Sequence, residues 1–222
     1  DTASYKASGW GLSAGLERTT GVGRFGLSYA WLTGNVDDNG GSGTVKTTQH
    51  ELGLFWRLAK GPFYAFARGS IAYLSMSGKR TFTGSDAGTA FTYTSKANWH
   101  GWLYSGAGGI SYDLDLGDNF TLRPKAVLDY YGLHENGYTE TGGGTAMDLT
   151  VQGRNSTAFN ATTTLTGSYR FGRRSKDERP LTLEVEAGRR SFLSGSLGTT
   201  VASFASGDDF SITPDRQKSA WL

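Results

Sequence analysis

Apolar and polar residues alternate with a period of two along two neighbouring segments, Trp102–Leu114 and Phe120–Tyr130, joined by the tight-turn sequence Gly117-Asp118-Asn119. Successive side chains of a strand point to opposite faces, so the alternation predicts the two strands of one hairpin. One face of the first strand carries no charge: Trp102, Tyr104, Gly106, Gly108, Ile110, Tyr112 and Leu114. Both strands are close to the ~9–11 residues that a tilted strand needs to cross a bilayer. The pattern therefore predicts a hairpin of a transmembrane β-barrel.

The same alternation recurs on both sides of this hairpin and predicts about eight strands in all. The other strands are Trp10–Leu16, Arg24–Thr33, Gln49–Leu58, Phe63–Leu74, Ala158–Phe171 and Leu181–Phe192, with Ala220–Leu222 as the first step of another. Short turns at 17–23, 59–62, 117–119 and 172–180 alternate with four long polar connections: Gly34–Thr48, Ser75–Asn98, His134–Thr157 and Leu193–Ser219. This order is typical of an all-β, up-and-down antiparallel transmembrane barrel with short periplasmic turns and longer extracellular loops.

Aromatic residues on the uncharged faces concentrate near the predicted strand ends, where the interfacial girdles of a membrane barrel lie. The girdle candidates are Trp10, Trp31, Tyr73, Trp102 and Tyr130. A soluble sheet can also have one apolar face, but a soluble sandwich requires neither girdles nor long connections confined to one end. The 222 residues include no cysteine, which excludes disulfides and thiolate metal sites, and the net charge of +2 is too small to predict nucleic-acid binding.

The opposite strand faces combine small residues with charges of both signs, as a crowded, hydrated lumen would. The lumen-facing candidates are Arg57, Arg68, Arg123, Lys125, Asp129, Glu184, Glu186 and Arg190. Mixed signs favour salt-bridged packing around a lumen occupant, since ion selectivity usually needs rings of one sign. Arg189 falls on the lipid-facing side, where its long side chain can reach the outer interface. Pro124 lacks a backbone N–H and predicts a β-bulge near the periplasmic turn.

The sequence predicts no catalytic, metal or cofactor site. His50, His100 and His134 all fall at the extracellular ends of predicted strands, and no pair has the spacing of a metal site on a helix or strand. His50-Glu51 and His134-Glu135 are the places where an enzymatic barrel wall could begin. No recognisable motif places a nucleophile beside either pair, and catalytic sets are defined by geometry rather than by neighbours in sequence. Scattered polarity at the barrel rim is the favoured interpretation.

Several local motifs resemble the C-terminal β-barrel translocator domain of autotransporters, the type Va secreted proteins of Gram-negative bacteria. In the central hairpin they are Gly106–Asp113, Leu116-Gly117-Asp118 and Phe120-Thr121-Leu122-Arg123-Pro124. Further along the chain, Asn136-Gly137-Tyr138-Thr139-Glu140, Tyr169-Arg170-Phe171 and Leu183–Gly188 match later parts of the same pattern. Each motif is weak alone, whereas their order and spacing are specific and span essentially the whole chain.

The resemblance implies a twelve-stranded barrel in the Gram-negative outer membrane that anchors and exports an N-terminal passenger, with a plug helix in the pore. Residues 1–222 would then hold strands two to nine and the start of strand ten. The implied partners are the lipid bilayer, the passenger with its helix, and the barrel-assembly machinery. An incomplete barrel predicts free sheet edges at Gly9–Leu16 and Leu181–Phe192. A porin-like channel and an enzymatic outer-membrane barrel are the alternatives, and no enzymatic activity is expected of this segment.

Overall fold

The computed structural model describes residues 5–38, 40–86, 88–117, 119–171, 181–205, 207–215 and 218–222. The predicted turn 172–180 and Asp118 of the hairpin turn lie outside these residues. Within the described ranges, no helix is long and apolar enough to cross a membrane.

Fourteen strands form in the described residues. They are β1 Tyr5–Thr20, β2 Gly23–Asp38, β3 Gly43–Lys60, β4 Phe63–Asp86, β5 Thr89–Tyr112, β6 Leu114–Asp115, β7 Phe120–Glu135, β8 Tyr138–Thr139, β9 Leu149–Val151, β10 Arg154–Phe171, β11 Leu181–Ser196, β12 Thr200–Phe204, β13 Phe210–Ile212 and β14 Ala220–Trp221. Ten of them build one antiparallel sheet in the order β1-β2-β3-β4-β5-β7-β10-β11-β14, with the short β6 also paired to β7. The long strands follow one another in sequence order, as the up-and-down prediction requires.

The strand register separates the sheet into two faces. The outer face carries the predicted uncharged sets, such as Leu54 of β3 and Leu128 of β7. The inner face carries the small and charged residues, such as Ser70 of β4 and Asp129 of β7. Opposed residues of neighbouring strands share a face, so the pairing ladders fix this assignment across the whole sheet.

Burial on these two faces is inverted relative to a soluble protein. On the outer face the Leu54 side chain is 67% exposed and Val185 is 65% exposed, whereas on the inner face Asp129 is 6% exposed and Asn160 is 3% exposed. Water disfavours a continuous exposed apolar surface of this size, but lipid does not. Lipid is therefore the environment that the outer face fits.

Two of the predicted long loops are wrong, because strands occupy most of them. In Gly34–Thr48, β2 extends to Asp38 and β3 begins at Gly43, so only residues 39–42 connect the two strands. Ser75–Asn98 belongs almost entirely to the 24-residue strands β4 and β5. At the loop end the inner face of β4 and β5 buries Met76, Ala97 and Trp99, while the outer face is polar and exposed. The apolar outer face that predicts a lipid-facing strand is therefore lost, although backbone pairing continues. The remaining connections still lie at the same end of the sheet, here called the loop end; the opposite end is the turn end.

The other two predicted loops, His134–Thr157 and Leu193–Ser219, contain short strands that pair with each other. A four-stranded sheet runs in the order β13-β12-β9-β8. Its central ladder joins Ala202 to Val151 and Phe204 to Leu149, so it ties two separate connections together. No local sequence pattern predicts this contact, since its partners lie about 50 residues apart and their strands are only three to five residues long.

The edges of the large sheet are open within the described residues. β1 pairs with β2 alone. Beyond β10, β11 pairs at Gly188, Arg189 and Arg190, which oppose Leu222, Trp221 and Ala220, and the Phe192 N–H donates to the Ser219 hydroxyl. No ladder joins β1 to β11 or β14 in the part of the chain that the structure describes. The predicted free edge at Gly9–Leu16 is confirmed, whereas the predicted edge at Leu181–Phe192 is paired at Gly188–Arg190, bonded at Phe192 and otherwise free within the described residues.

The predicted β-bulge at Pro124 is wrong. The pairing of β5 with β7 stops at Ser111–Lys125 and resumes at Leu114–Leu122 in the same register. Pro124 thus interrupts the ladder without inserting an extra residue, because it has no N–H to donate. A register shift occurs instead between Phe159 and Asn160, where β10 pairs with β11.

Candidate pore lining and lipid-facing belt

All eight charged residues predicted to face a lumen lie on the inner face of the large sheet. They are Arg57 on β3, Arg68 on β4, Arg123, Lys125 and Asp129 on β7, and Glu184, Glu186 and Arg190 on β11. The alternation of each strand determines this placement, since the ladders oppose every one of them to an inner-face residue of the neighbouring strand.

Most inner-face charges are paired within the described residues. Near the turn end, Glu17 accepts from Arg57 at 2.5 Å and from Arg24 at 3.4 Å. On the other half of the sheet, Arg190 bonds Asp129 at 2.5 Å. Each pair joins two adjacent strands or two strands separated by one other, so the pairs link the sheet across its strands.

A second group of polar contacts surrounds β7, β10 and β11. Both carboxylate oxygens of Asp113 accept from Arg123. Thr166 donates to Glu186 at 2.8 Å, and Ser168 donates to Glu184 at 3.0 Å. These contacts form a polar inner surface that carries charges of both signs rather than a ring of one sign.

The half of the inner face built from β1 to β5 is lined by small residues. One register row across these strands reads Gly15, Ser28, Gly53, Ser70 and Ser105. The Ser70 and Ser105 hydroxyls are 2.7 Å apart. A Cβ added at Gly53 would lie 2.7 Å from the Ser28 Oγ. The space between β2 and β3 on the inner face therefore holds no larger side chain at position 53.

Glu17 is an inner-face residue that the sequence prediction assigned to a turn. It belongs to a strand, because β1 continues to Thr20. The period-two pattern extended through Glu17 would have placed it on the inner face with Gly15. The Thr-rich, glycine-ended stretch 17–23 hid that signal, since such residues usually mark a turn.

At the loop end, the connection after β7 folds onto the inner face of β4 and β5. The Tyr138 ring stacks on Trp99 with centroids 4.4 Å apart. Glu140 accepts both a bidentate bond from Arg80 and the Leu149 N–H at 3.0 Å. This set of contacts, together with those of Asp148 below, is called the loop-end network.

Asp148 completes the loop-end network from the far side of the same connection. Its Oδ1 accepts from the Ser95 hydroxyl at 2.7 Å and from the Gly143 N–H at 2.9 Å. The Ser95 hydroxyl and then the backbone N–H groups hold the pKa of the Asp148 carboxyl below its usual range. Sequence reasoning missed every member of this network, because its partners come from separate hairpins.

All five predicted girdle aromatics lie on the outer face. Trp10 meets Trp31 edge-on with ring centroids 4.9 Å apart, and Tyr73 meets Trp102 at 5.2 Å. Tyr130 is likewise exposed on the outer face of β7. Aromatic rings packed side by side across strands are the arrangement expected of a belt at a membrane interface, and their role as a girdle stays a prediction.

The three histidines also lie on the outer face, in or next to this belt. One register row reads Trp31, His50, Tyr73, Trp102 and His134. His50 bonds the Tyr29 hydroxyl at 2.8 Å, His134 bonds Asn155 at 2.7 Å, and His100 stacks on Tyr73. Within the described residues, no group of three or more His, Cys, Asp and Glu side chains is arranged to hold a metal ion. Each histidine therefore contacts a neighbouring polar or aromatic side chain.

An antiparallel sheet of consecutive strands, apolar and exposed on one face and charged on the other, belongs to the class of outer-membrane β-barrels. The family model of the autotransporter β-domain matches residues 1–222, and the chain belongs to this family. It is an outer-membrane translocator domain that serves passenger export.

The fold is similar to a solved structure, the translocator domain of the autotransporter NalP from Neisseria meningitidis. The TM-score is 0.67 at 17% sequence identity, and the match covers 96% of this chain and 77% of that one. At this identity the likeness concerns the fold alone. No curated protein is similar enough in sequence to match the chain.

Proposed function

We propose that the inner face lines the pore along which the passenger is exported, and that the eight inner-face charges listed above contact the segment inside it. The observation that carries this proposal is the inverted burial of the sheet. Leu54 and Val185 are exposed on the outer face, while Asp129 and Asn160 are buried on the inner one. A lumen that holds polypeptide needs hydrated, hydrogen-bonding walls, and the inner face provides them.

Further strands of the same polypeptide close the barrel between β1 and β14. The free edge of β1 supports this step, because the backbone N–H and C=O groups that point away from β2 along this sixteen-residue strand would have no hydrogen-bond partners in lipid. The two-residue pairing of β14 with β11 supports it as well, since it begins the next strand of the same sheet. Residues 1–222 then hold strands two to nine and the start of strand ten of a twelve-stranded barrel with a helix in the pore.

The domain resides in the outer membrane of a Gram-negative bacterium and is inserted there by the barrel-assembly machinery. It carries no enzymatic activity of its own; transport of the passenger is its role. A porin-like channel is the weaker alternative, because the inner-face charges are cross-paired with opposite signs rather than arranged in rings of one sign.

Cross-linking of a stalled passenger tests the pore assignment in the full-length protein. Single cysteines are placed at Ser70 on the inner face and, as a matched control, at Ile71, the next residue of β4 on the outer face. The native chain has no cysteine, so each label reports one site. We expect Ser70→Cys to cross-link the passenger and Ile71→Cys to react only with a lipid-soluble probe. Passenger cross-links at Ile71 that equal those at Ser70 would refute the assignment.

A further inference from the structure

Arg189 is a cation on the lipid-facing side of the sheet. It opposes Thr163 on β10 and Trp221 on β14, and it shares the outer face with Val185 and Ala187 of its own strand. The next residue, Arg190, points to the inner face and bonds Asp129. Arg189 forms no ion pair with a carboxylate of the described residues, and its guanidinium lies over the Trp221 ring, 5.4 Å from the centroid. A role in the pore therefore does not explain why a cation lies at position 189.

Arg189 borders a groove of about 730 Å³ on the outer face. Small side chains form its floor at Ala126, Thr163 and Ala187, and Ile110, Leu165 and Trp221 form its walls. Lys125 also borders the groove, but its register turns the side chain to the inner face. A narrow apolar channel with a guanidinium at its edge fits an acyl chain attached to an anionic headgroup.

The height of Arg189 identifies the leaflet. It lies eight residues beyond Leu181, the first residue of β11 at the turn end. At ~3.3 Å per residue and a tilt of about 40°, this places it roughly 20 Å above the turn end of an apolar band about 25 Å tall. Trp221 enters the same region from the loop-end connection. The Arg189 backbone thus lies about 5 Å below the upper edge of the band, and its long side chain can reach the headgroup region of the outer leaflet.

We propose that Arg189 and this groove bind a phosphorylated glycolipid of the outer leaflet. The guanidinium donates two N–H bonds to a phosphate, and one acyl chain lies along the floor formed by Ala126, Thr163 and Ala187. Planar guanidinium groups bind phosphate oxygens in this bidentate manner. The inference rests on the outer-membrane placement of the domain with its loop end outward.

The test compares Arg189→Gln with Arg18→Gln in the full-length protein. Arg18 is a matched control because it also lies on the outer face beside a groove, of about 610 Å³, but near the turn end and the inner leaflet. The proteins are reconstituted in discs of phosphatidylethanolamine, and purified lipopolysaccharide is titrated in its native and dephosphorylated forms. Bound glycolipid per barrel is measured by native mass spectrometry.

We expect Arg189→Gln to bind native lipopolysaccharide about 10-fold more weakly, as for the loss of one charge-assisted contact, and Arg18→Gln to bind as the wild type does. The wild-type protein should bind dephosphorylated lipopolysaccharide about as weakly as Arg189→Gln binds the native form. Ala187→Trp, which fills the groove and keeps the cation, should also weaken binding.

Three results would overturn the assignment: unchanged affinity in Arg189→Gln, equal binding of the dephosphorylated glycolipid, or displacement by phosphatidylglycerol at equal concentration. The last result would identify a phospholipid as the occupant. Heat-modifiable mobility and passenger export are measured in the same samples. Normal export without glycolipid binding refutes this inference alone, whereas a failure of wild-type export would refute the proposed function.

Discussion

Replacing Leu54 by arginine tests the lipid-facing assignment of the outer face. Leu54 lies six residues from Lys60 at the turn end of β3, and its side chain is 67% exposed. At ~3.3 Å per residue and a tilt of about 40°, it sits about 15 Å above the turn end, close to the middle of an apolar band about 25 Å tall. An arginine there cannot reach either interface fully, so Leu54→Arg should lower the free energy of unfolding by about 2–4 kcal/mol.

The matched control is Thr48→Arg on the same strand and the same face. Thr48 lies twelve residues from Lys60, or roughly 30 Å above the turn end, where the strand has left the apolar band. Its replacement should cost about 0–1 kcal/mol. Both values come from denaturant titration of the complete barrel in lipid vesicles. If the Leu54→Arg cost is zero within error, or no larger than that of Thr48→Arg, the outer face does not contact lipid.

Three further predictions concern sidedness, the inner-face pairs and the loop-end network. Single cysteines at Ser85 and Thr145, both exposed, should react with a membrane-impermeant label on intact cells, and one at Val22 should not; the reverse pattern would invert the topology. A double-mutant cycle on Arg190→Ala and Asp129→Ala should give a coupling of about 1 kcal/mol, because the Arg190 side chain is 44% exposed and screened, and additive effects would show that the pair contributes nothing. The pKa of Asp148 is lowered in the fold, so its contribution is present at neutral pH and is lost as the pH falls below about 4. Proteolysis of the 136–148 connection should rise only in that acidic range and at a higher pH in Ser95→Ala; acid-independent cleavage would contradict the assigned role of Asp148.

The membrane-spanning parts of the strands could be predicted from the sequence, because lipid on one side and water on the other impose a period of two. Leu52, Leu54 and Trp56 alternate with Gly53, Phe55 and Arg57 for this reason, and the structure places them on opposite faces. The same rule assigned all eight inner-face charges. In 75–98 the outer face is polar and the inner face buries only a few apolar residues, such as Met76 and Ala97, so the apolar alternation is weak and the sequence predicts a loop.

The partners of the inner-face residues could not be predicted in the same way. The alternation predicts the face on which Arg190 lies, but it does not predict the ion-pair partner Asp129. Asp129 lies 61 residues earlier in the chain, on β7, and β10 lies between β7 and β11. Register between distant strands depends on the length of each hairpin, and the sequence pattern predicted the β2–β3 and β4–β5 hairpins too short. The loop-end network depends on the same quantity, since Arg80 reaches Glu140 only because β4 continues far beyond the apolar band.

The distribution of charge on the inner face explains why such a wall can serve a transported chain. A ring of one sign would attract segments of opposite charge and repel the rest, so export would depend strongly on passenger sequence. Here Glu17 is shared by two arginines, and Arg190 is held by Asp129, so the field of each charge is largely cancelled close to the wall. Arg68 and Glu51 are exceptions on the β1–β5 half: neither has an ion-pair partner among the described residues, and Arg68 lies two residues from Ser70 on the same face. A wall of paired charges and short hydroxyls offers hydrogen bonds to any polypeptide backbone while binding no side chain type strongly, which suits passage more than retention.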